Sequence, residues 1–202
     1  MKFARLALAP LPLVLMLSHG CSDPPAPPAE AAITLNIKSA SGSHCAAPIG
    51  QLSIPTAMAA TSVLQELNCD LSTGCKVDDY VLVDRDQGAT VSCTVSPAGD
   101  NYTVSLNLNY DGSAVGQPSM FFTATGSVSA TGGQLSVTEN NSVAGAGGQQ
   151  DGCLVTIMPP RGLVKKGSIW ASFDCPMFRD PSNIGDTGCD MQGIFLFENC
   201  GG

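Results

Sequence analysis

Apolar and polar residues alternate along residues 102–110, and this pattern constrains the fold more than any other feature of the 202-residue chain. Val104, Leu106 and Leu108 fall on one face of an extended segment, because successive side chains of a β-strand point to opposite sides. Such alternation predicts an antiparallel strand with one buried and one solvated face. The Asp-Gly pair directly after it predicts a hairpin-type turn.

Eight further segments have the composition of strands, with Gly-rich connections between them. They are residues 33–37, 80–84, 91–95, 119–130, 134–138, 153–157, 167–174 and 191–197. Short strands at regular spacing predict an all-β, disulfide-stapled, antiparallel two-sheet β-sandwich, with a jelly-roll-like arrangement as one form of it. Segment 191–197 is apolar on both faces and predicts a central, covered strand. Residues 56–68 have roughly helical spacing and predict a short helix or an ordered loop, and 145–152 predict a loop.

The first twenty residues have the layout of an export signal. A basic start precedes an apolar stretch of about a dozen residues, which is shorter than a transmembrane helix needs, and a Ser-His-Gly segment leads to Cys21. Residues 17–21 resemble a bacterial lipobox, whose cysteine receives a diacylglycerol before the signal is cut off. The segment departs from that pattern at Ser18 and His19, and ordinary signal-peptidase cleavage is the alternative.

The chain has nine cysteines and no CxxC pair of the kind that zinc sites use. We therefore interpret them as disulfides formed in an oxidising compartment rather than as buried free thiols. Lipidation of Cys21 leaves eight cysteines, an even set. The turn at 84–88 and the loop at 176–188 each lie between two cysteines. The expected pairs are Cys75–Cys93, Cys175–Cys189, Cys45–Cys69 and Cys153–Cys200.

The Pro-rich segment after Cys21 predicts an extended tether. The expected organisation is a signal peptide over 1–20, a lipidated cysteine and tether over 21–32, and one β-sandwich domain over 33–202. Without the signal, 7 basic residues stand against 17 acidic ones, a net charge of −10. This charge repels nucleic acid and anionic lipid, so contact with the bilayer must come from the acyl anchor. Ser22 is unlike an aspartate retention signal, which favours the outer membrane, at its periplasmic or surface face.

No catalytic constellation, metal spacing or cofactor motif is recognised in the chain. His44 is the one histidine after the signal, and a Ser-His-Asp or Cys-His site requires a histidine. Residues 84–88 faintly resemble a calcium loop, but they lack its third ligand and its closing glutamate. A solvated turn is the preferred interpretation of that segment, and calcium is the alternative. The carboxylates around the 176–188 loop receive the same interpretation; they are Asp174, Asp180, Asp186 and Asp190.

Trp170 is the only tryptophan, and the alternation places it opposite the face of Ile169, Ala171 and Phe173. It is either a ligand-contacting aromatic that stacks on a sugar or a structural side chain that covers the core or a sheet edge. An exposed Trp170 beside Tyr80, Tyr102 or Tyr110 would favour the first interpretation, and a buried Trp170 would count against it.

The segment 167–175, the spacing to Cys189 and the ending 197–200 resemble the C-terminal half of small Cys-rich lipoproteins that are numerous in myxobacteria and their relatives. Segment 91–95 is similar to their central hairpin. The resemblance implies secretion, disulfides and a β-rich domain, and it implies no activity. We expect an exported, membrane-anchored lipoprotein with a non-catalytic binding or envelope-structural domain and an unidentified protein or glycan partner. A carbohydrate-binding module and a carboxylate-dependent hydrolase are the alternatives.

Overall fold

The computed structural model describes residues 24–38, 50–54, 81–113, 119–141, 147–157, 163–182 and 185–201. Within these ranges the chain is all-β. Its strands are β1 (Glu30–Lys38), β2 (Gly50–Ile54), β3 (Leu82–Val83), β4 (Ala89–Ala98), β5 (Asn101–Tyr110), β6 (Met120–Ser129), β7 (Gly132–Asn141), β8 (Gly147–Thr156), β9 (Leu163–Lys165), β10 (Ser168–Phe178) and β11 (Cys189–Glu198).

The strands form one antiparallel sheet in the order β2-β1-β11-β10-β8-β7-β6-β5-β4, with β3 on β1 and β9 on β10. The sheet curls until β4, the last strand in this order, meets other parts of the chain. The Val95 N–H donates to the Gly201 carbonyl at 3.1 Å, and the Gly201 N–H donates to the Cys93 carbonyl at 2.9 Å. The Gly167 N–H, in the β9–β10 turn, donates to the Val95 carbonyl at 2.9 Å. The result is a nearly closed, barrel-like sheet, and the two-sheet sandwich is not confirmed.

Phenylalanine rings fill the interior of this sheet. Phe122 on β6 lies 5.9 Å from Phe173 on β10 and 6.2 Å from Phe195 on β11, measured between ring centroids. Strands β7 and β8 lie between β6 and β10, so the path along the sheet is about 14 Å at the usual strand spacing. The rings therefore meet across the interior, and they are buried on the same side as the apolar residues of every long strand.

All nine predicted strand segments overlap strands of the structure, and the expected covered strand, β11, lies between β1 and β10. Strands β2 and β9 were not predicted, β1 begins at Glu30 inside the predicted tether, and the proposed helix at 56–68 lies outside the described residues. The loop predicted at 145–152 is wrong, because β8 begins at Gly147. Its glycines reflect close packing: a Cβ on Gly148 would lie 2.5 Å from a ring carbon of Phe178.

A disulfide joins Cys93 to Cys200, with the two Cα atoms 4.8 Å apart. The predicted pairs Cys75–Cys93 and Cys153–Cys200 are therefore wrong. Cys75 and Cys93 lie at similar distances in sequence from the turn at 84–88, but this spacing does not determine the partner of Cys93. The C-terminal residues lie alongside β4 and supply that partner. Their backbone hydrogen bonds, with Gly201 bridged to Thr94, hold Cys200 next to Cys93.

A second disulfide joins Cys153 to Cys175, with the Cα atoms 4.6 Å apart. The predicted pair Cys175–Cys189 is wrong, because β8 and β10 are neighbours and their register places Leu154 opposite Asp174. Because the strands are antiparallel, the same register places Cys153, just before Leu154, opposite Cys175, just after Asp174. In the β10–β11 register Cys189 lies opposite Phe178, beyond a register shift. Cys189 is also disulfide-bonded, and its partner lies outside the described residues.

Candidate functional site

Several predicted site residues lie outside the described residues. They are the lipidation candidate Cys21, His44, the predicted pair Cys45–Cys69, Cys75 and Tyr80. The five cysteines that are described, Cys93, Cys153, Cys175, Cys189 and Cys200, are all disulfide-bonded. No described cysteine is therefore a free nucleophile or a thiolate ligand.

The carboxylates of Asp84 and Asp86 stabilise the turn in which they lie by accepting hydrogen bonds from backbone N–H groups. Asp84 Oδ1 accepts a hydrogen bond from the Val91 N–H at 2.9 Å, and Asp86 Oδ1 accepts one from the Gln87 N–H at 2.9 Å. The Arg85 Nε atom lies 3.4 Å from Asp84 Oδ2. These contacts are those of a polar turn between β3 and β4, as in the preferred interpretation of this segment.

The loop before β11 is organised by carboxylates in the same way. Asp180 Oδ1 accepts hydrogen bonds from the N–H and the hydroxyl of Ser182, at 2.8 Å and 2.6 Å. Asp186 accepts from the Asp180 N–H at 3.0 Å and from the Gly188 N–H at 3.0 Å. Asp180 and Asp186 therefore stabilise the loop conformation, whereas Asp174 and Asp190 lie within β10 and β11.

Trp170 points to the outside of the sheet, as the alternation predicts, and is half-buried. Its cross-strand neighbours are Leu196 on β11 and Leu163 on β9. Tyr110 is buried on the opposite, interior side, and Tyr102 packs against the core from that side. These two tyrosines therefore form no shared aromatic surface with Trp170.

A groove of about 350 Å³ lies on the outer face of β1, β11, β10 and β8. Its first row crosses these four strands in register, with Asn36 opposite Gln192, Gln192 opposite Asp174, and Asp174 opposite Leu154. Directly opposite residues on one face have Cβ atoms about 5 Å apart, so their side chains form a continuous strip. We call this site the outer-face groove.

A second row of the outer-face groove runs parallel to the first. It consists of Thr34, Ile194, Ser172 and Thr156, again in register across the same four strands. The Ser172 hydroxyl donates to the Thr156 carbonyl at 3.3 Å. Ile194 supplies an apolar surface among hydroxyl groups, so the groove combines hydrogen-bonding groups with a hydrophobic patch.

Asp174 carries the one charge among the described residues that line the outer-face groove. Its Oδ1 atom is buried and has no hydrogen-bond partner. A buried carboxylate oxygen without a donor costs free energy, because it has lost water and gained nothing in return. The groove therefore combines one carboxylate with two amides and three hydroxyl groups.

Two further grooves meet at the rim of the sheet, with volumes of about 580 Å³ and 380 Å³, and both are lined by Gln149, Asp180 and Pro181. Their polar groups hold the neighbouring loop: Gln150 Oε1 accepts from the Met177 N–H at 2.7 Å, in addition to the contacts of Asp180 described above. These rim grooves are larger than the outer-face groove, but two of their polar side chains, Gln150 and Asp180, already hold the loop, and the rim grooves lack the in-register rows of the outer face. We therefore place the candidate site at the outer-face groove.

Asn36 and Gln192 were not identified from the sequence as site residues. Each is the polar, outward member of an alternating segment, which marks it as surface and nothing more. Their approach to Asp174 depends on β1, β11 and β10 being neighbours in register.

No protein-family model matches the chain, and neither a curated protein nor a solved structure matches it. In the part of the chain that the structure describes, no helix is long and apolar enough to cross a bilayer. Over the same residues, no three side chains of histidine, cysteine, aspartate or glutamate come together as metal ligands would.

Proposed function

We propose that this protein is an exported lipoprotein, held in the bacterial cell envelope by a lipid on Cys21, whose β domain has a non-catalytic binding role. The observation that carries the proposal is that all five described cysteines are disulfide-bonded. Disulfides form and persist in oxidising compartments such as the periplasm and the cell surface. The disulfides therefore support export to such a compartment.

The exposed segment before the first strand supports the proposed lipid anchor, because it separates Cys21 from the folded domain. Residues 24–28 are exposed and have no regular secondary structure, and β1 begins at Glu30. Glu30 is nine positions after Cys21, and a Pro-rich chain extends by about 3.1 Å per residue, so an extended tether would span about 28 Å. This length lifts the domain clear of lipid headgroups. The even number of cysteines left once Cys21 is acylated supports the same assignment.

The proposed location is the outer membrane, facing the periplasm or the surface. The proposed partner is the lipid bilayer, which the protein contacts through its acyl anchor. Ser22 after the cysteine and the resemblance to Cys-rich myxobacterial lipoproteins support this location. The net charge of −10 without the signal gives no electrostatic attraction to anionic lipid or nucleic acid. A covalent lipid must therefore supply the membrane affinity.

The outer-face groove supports a binding role rather than hydrolysis. Glycoside hydrolysis uses a pair of carboxylates on either side of the scissile bond. Among the described residues that line the outer-face groove, Asp174 is the one carboxylate. It is surrounded by amide and hydroxyl groups, which recognise a ligand by hydrogen bonding.

The substitution Cys21→Ser tests the anchor in the native host. We expect wild-type protein in the membrane fraction and in the detergent phase of a Triton X-114 partition, and Cys21→Ser in the soluble fraction. Ser22→Ala is the matched control, because it alters the adjacent residue and keeps the thiol. Retention of Cys21→Ser in the membrane would contradict the proposal.

A further inference from the structure

We propose that the outer-face groove is a saccharide-binding site in which Asp174 accepts a hydrogen bond from a sugar hydroxyl. This inference deepens the proposed binding role by naming the ligand class, and it does not depend on the lipid anchor. The volume of about 350 Å³ lies within the range of small-molecule sites and suits one or two sugar units.

The side chains of the groove match a polyhydroxyl ligand. Amides such as Asn36 and Gln192 both donate and accept hydrogen bonds, and so does the hydroxyl of Thr156. A sugar hydroxyl likewise donates and accepts, so it pairs with either function. A bare cation would leave the amide N–H groups without acceptors. The two amides and Asp174 stand in one row across three strands, so the row spans about 10 Å at the usual strand spacing and can pair with hydroxyls of neighbouring sugar units.

The apolar groups of the groove serve the other face of a sugar. Ile194 lies in the second row, and Leu154 at the end of the first row is 56% exposed. A pyranose ring presents C–H groups as well as hydroxyls, and these C–H groups pack on aliphatic side chains. Trp170 lies further along β10 on the same outward side as Ser172 and Asp174, where it can extend the contact to a second sugar unit.

Asp174 is the acceptor that the groove offers to a ligand. It lines the groove and is partly exposed, so the accessible part of its carboxylate can accept a ligand hydroxyl, while its buried Oδ1 atom has no hydrogen-bond partner in the chain. Hydrogen bonds to an ionised group are stronger than those between neutral groups. Asp174 therefore supplies both binding energy and selectivity for donors.

Asp190 provides a matched control. It lies on β11 rather than β10, and like Asp174 it has a buried Oδ1 atom without a hydrogen-bond partner, but it does not line the groove. A purely structural effect of removing such a carboxylate should be the same for both residues, whereas a binding effect should be confined to Asp174.

The test titrates the full exported chain, as the soluble Cys21→Ser protein, with maltotetraose, cellotetraose and the tetramer of N-acetylglucosamine. Backbone amide NMR shifts report the location and affinity of binding. We expect at least one sugar to shift the amides of Gln192 and Asp174. Asp174→Asn should weaken that binding about tenfold or more, and Asp190→Asn should leave it unchanged. Both variants should unfold close to the parent temperature, because neither substitution removes a hydrogen bond to the buried Oδ1 atom.

Asn36→Ala is the second variant, and it changes an exposed side chain, so that folding is preserved. It should weaken the same binding. The proposal is overturned if none of the three sugars shifts the groove amides, or if Asp174→Asn and Asp190→Asn weaken binding equally. These outcomes concern the groove alone; membrane retention of Cys21→Ser would count against the anchor and not against the groove.

Discussion

The two disulfides within the described residues occupy opposite kinds of position in the sheet. Cys93–Cys200 joins residues 107 apart in sequence and ties β4, the last strand of the sheet, to the chain after β11. Cys153–Cys175 joins residues 22 apart on β8 and β10, which are already hydrogen-bonded neighbours. The first is partly exposed, and the second is fully buried.

The two disulfides therefore stabilise different features of the sheet, its closure and the register of two neighbouring strands. The Cys93–Cys200 disulfide restrains the closure of the curled sheet. The two segments that it connects are otherwise paired by one isolated β-bridge, between Thr94 and Gly201. The Cys153–Cys175 bridge reinforces a register that backbone pairing already sets. In the chain-entropy view, a closed loop of about 100 residues contributes about 5 kcal/mol, and one of about 20 contributes about 3 kcal/mol.

Removal of each bridge gives the largest expected effect. The double variant Cys93→Ala/Cys200→Ala should lose about 5 kcal/mol of unfolding free energy, and Cys153→Ala/Cys175→Ala about 3 kcal/mol. Urea unfolding with the remaining disulfides intact measures both. A larger loss of unfolding free energy in the Cys153/Cys175 variant would show that local packing contributes more to stability than the closure does. That result would contradict the proposed difference between the two disulfides.

The substitution Gly201→Pro tests the backbone part of the closure. It removes the N–H that donates to the Cys93 carbonyl at 2.9 Å, and the net worth of such a bond is about 1 kcal/mol. Gly201→Ala is the control, because the nearest heavy atom to an added Cβ is 3.7 Å away. Thermal unfolding should separate the two variants. Equal stability would mean that Gly201 does not contribute to the closure.

The substitution Asp111→Asn gives the smallest effect and concerns the loop after β5, away from the closure. Hydrogen bonds from the Ser113 side chain and backbone, then from Ser119, lower the pKa of Asp111 below its ordinary value of 3.8. A lowered folded-state pKa stabilises the protein above the unfolded-state pKa, and this stabilisation is lost as the pH falls through the folded-state pKa.

Wild type should therefore unfold at a slightly higher temperature than Asp111→Asn at neutral pH, and the difference should vanish in strong acid. Ser113→Ala should reproduce part of the difference, because the Ser113 hydroxyl is the largest cause of the lowered pKa. A difference that does not change with pH would contradict this assignment.

The strands could be predicted from the sequence, because burial on one face imposes a period of two on each of them. Residues 102–110 coincide almost entirely with β5 (Asn101–Tyr110). β9 (Leu163–Lys165) spans three residues, which is too short for alternation to be visible. The closure of the sheet could not be predicted, because it depends on Gly167 and Gly201, which carry no side-chain pattern.

The candidate site was harder to predict than the fold. Asp174 was identified as a carboxylate near a loop, and Asn36 and Gln192 are 156 residues apart in the chain. Only the β1–β11 register brings the two amides together. The disulfide predictions were wrong for the same reason. The positions of loops in the sequence suggested partners for Cys175 and Cys93, but the order of the strands and the path of the C-terminal residues determine which sulfurs meet.

Mass spectrometry of the intact protein and of its peptides, isolated from the native envelope without reduction, tests the central claim most directly. The account predicts a mature chain that begins at an acylated Cys21, with the other eight cysteines in disulfides that include Cys93–Cys200 and Cys153–Cys175. A mature chain that carries no lipid would contradict the anchor. Free thiols at the paired cysteines would contradict export to an oxidising compartment.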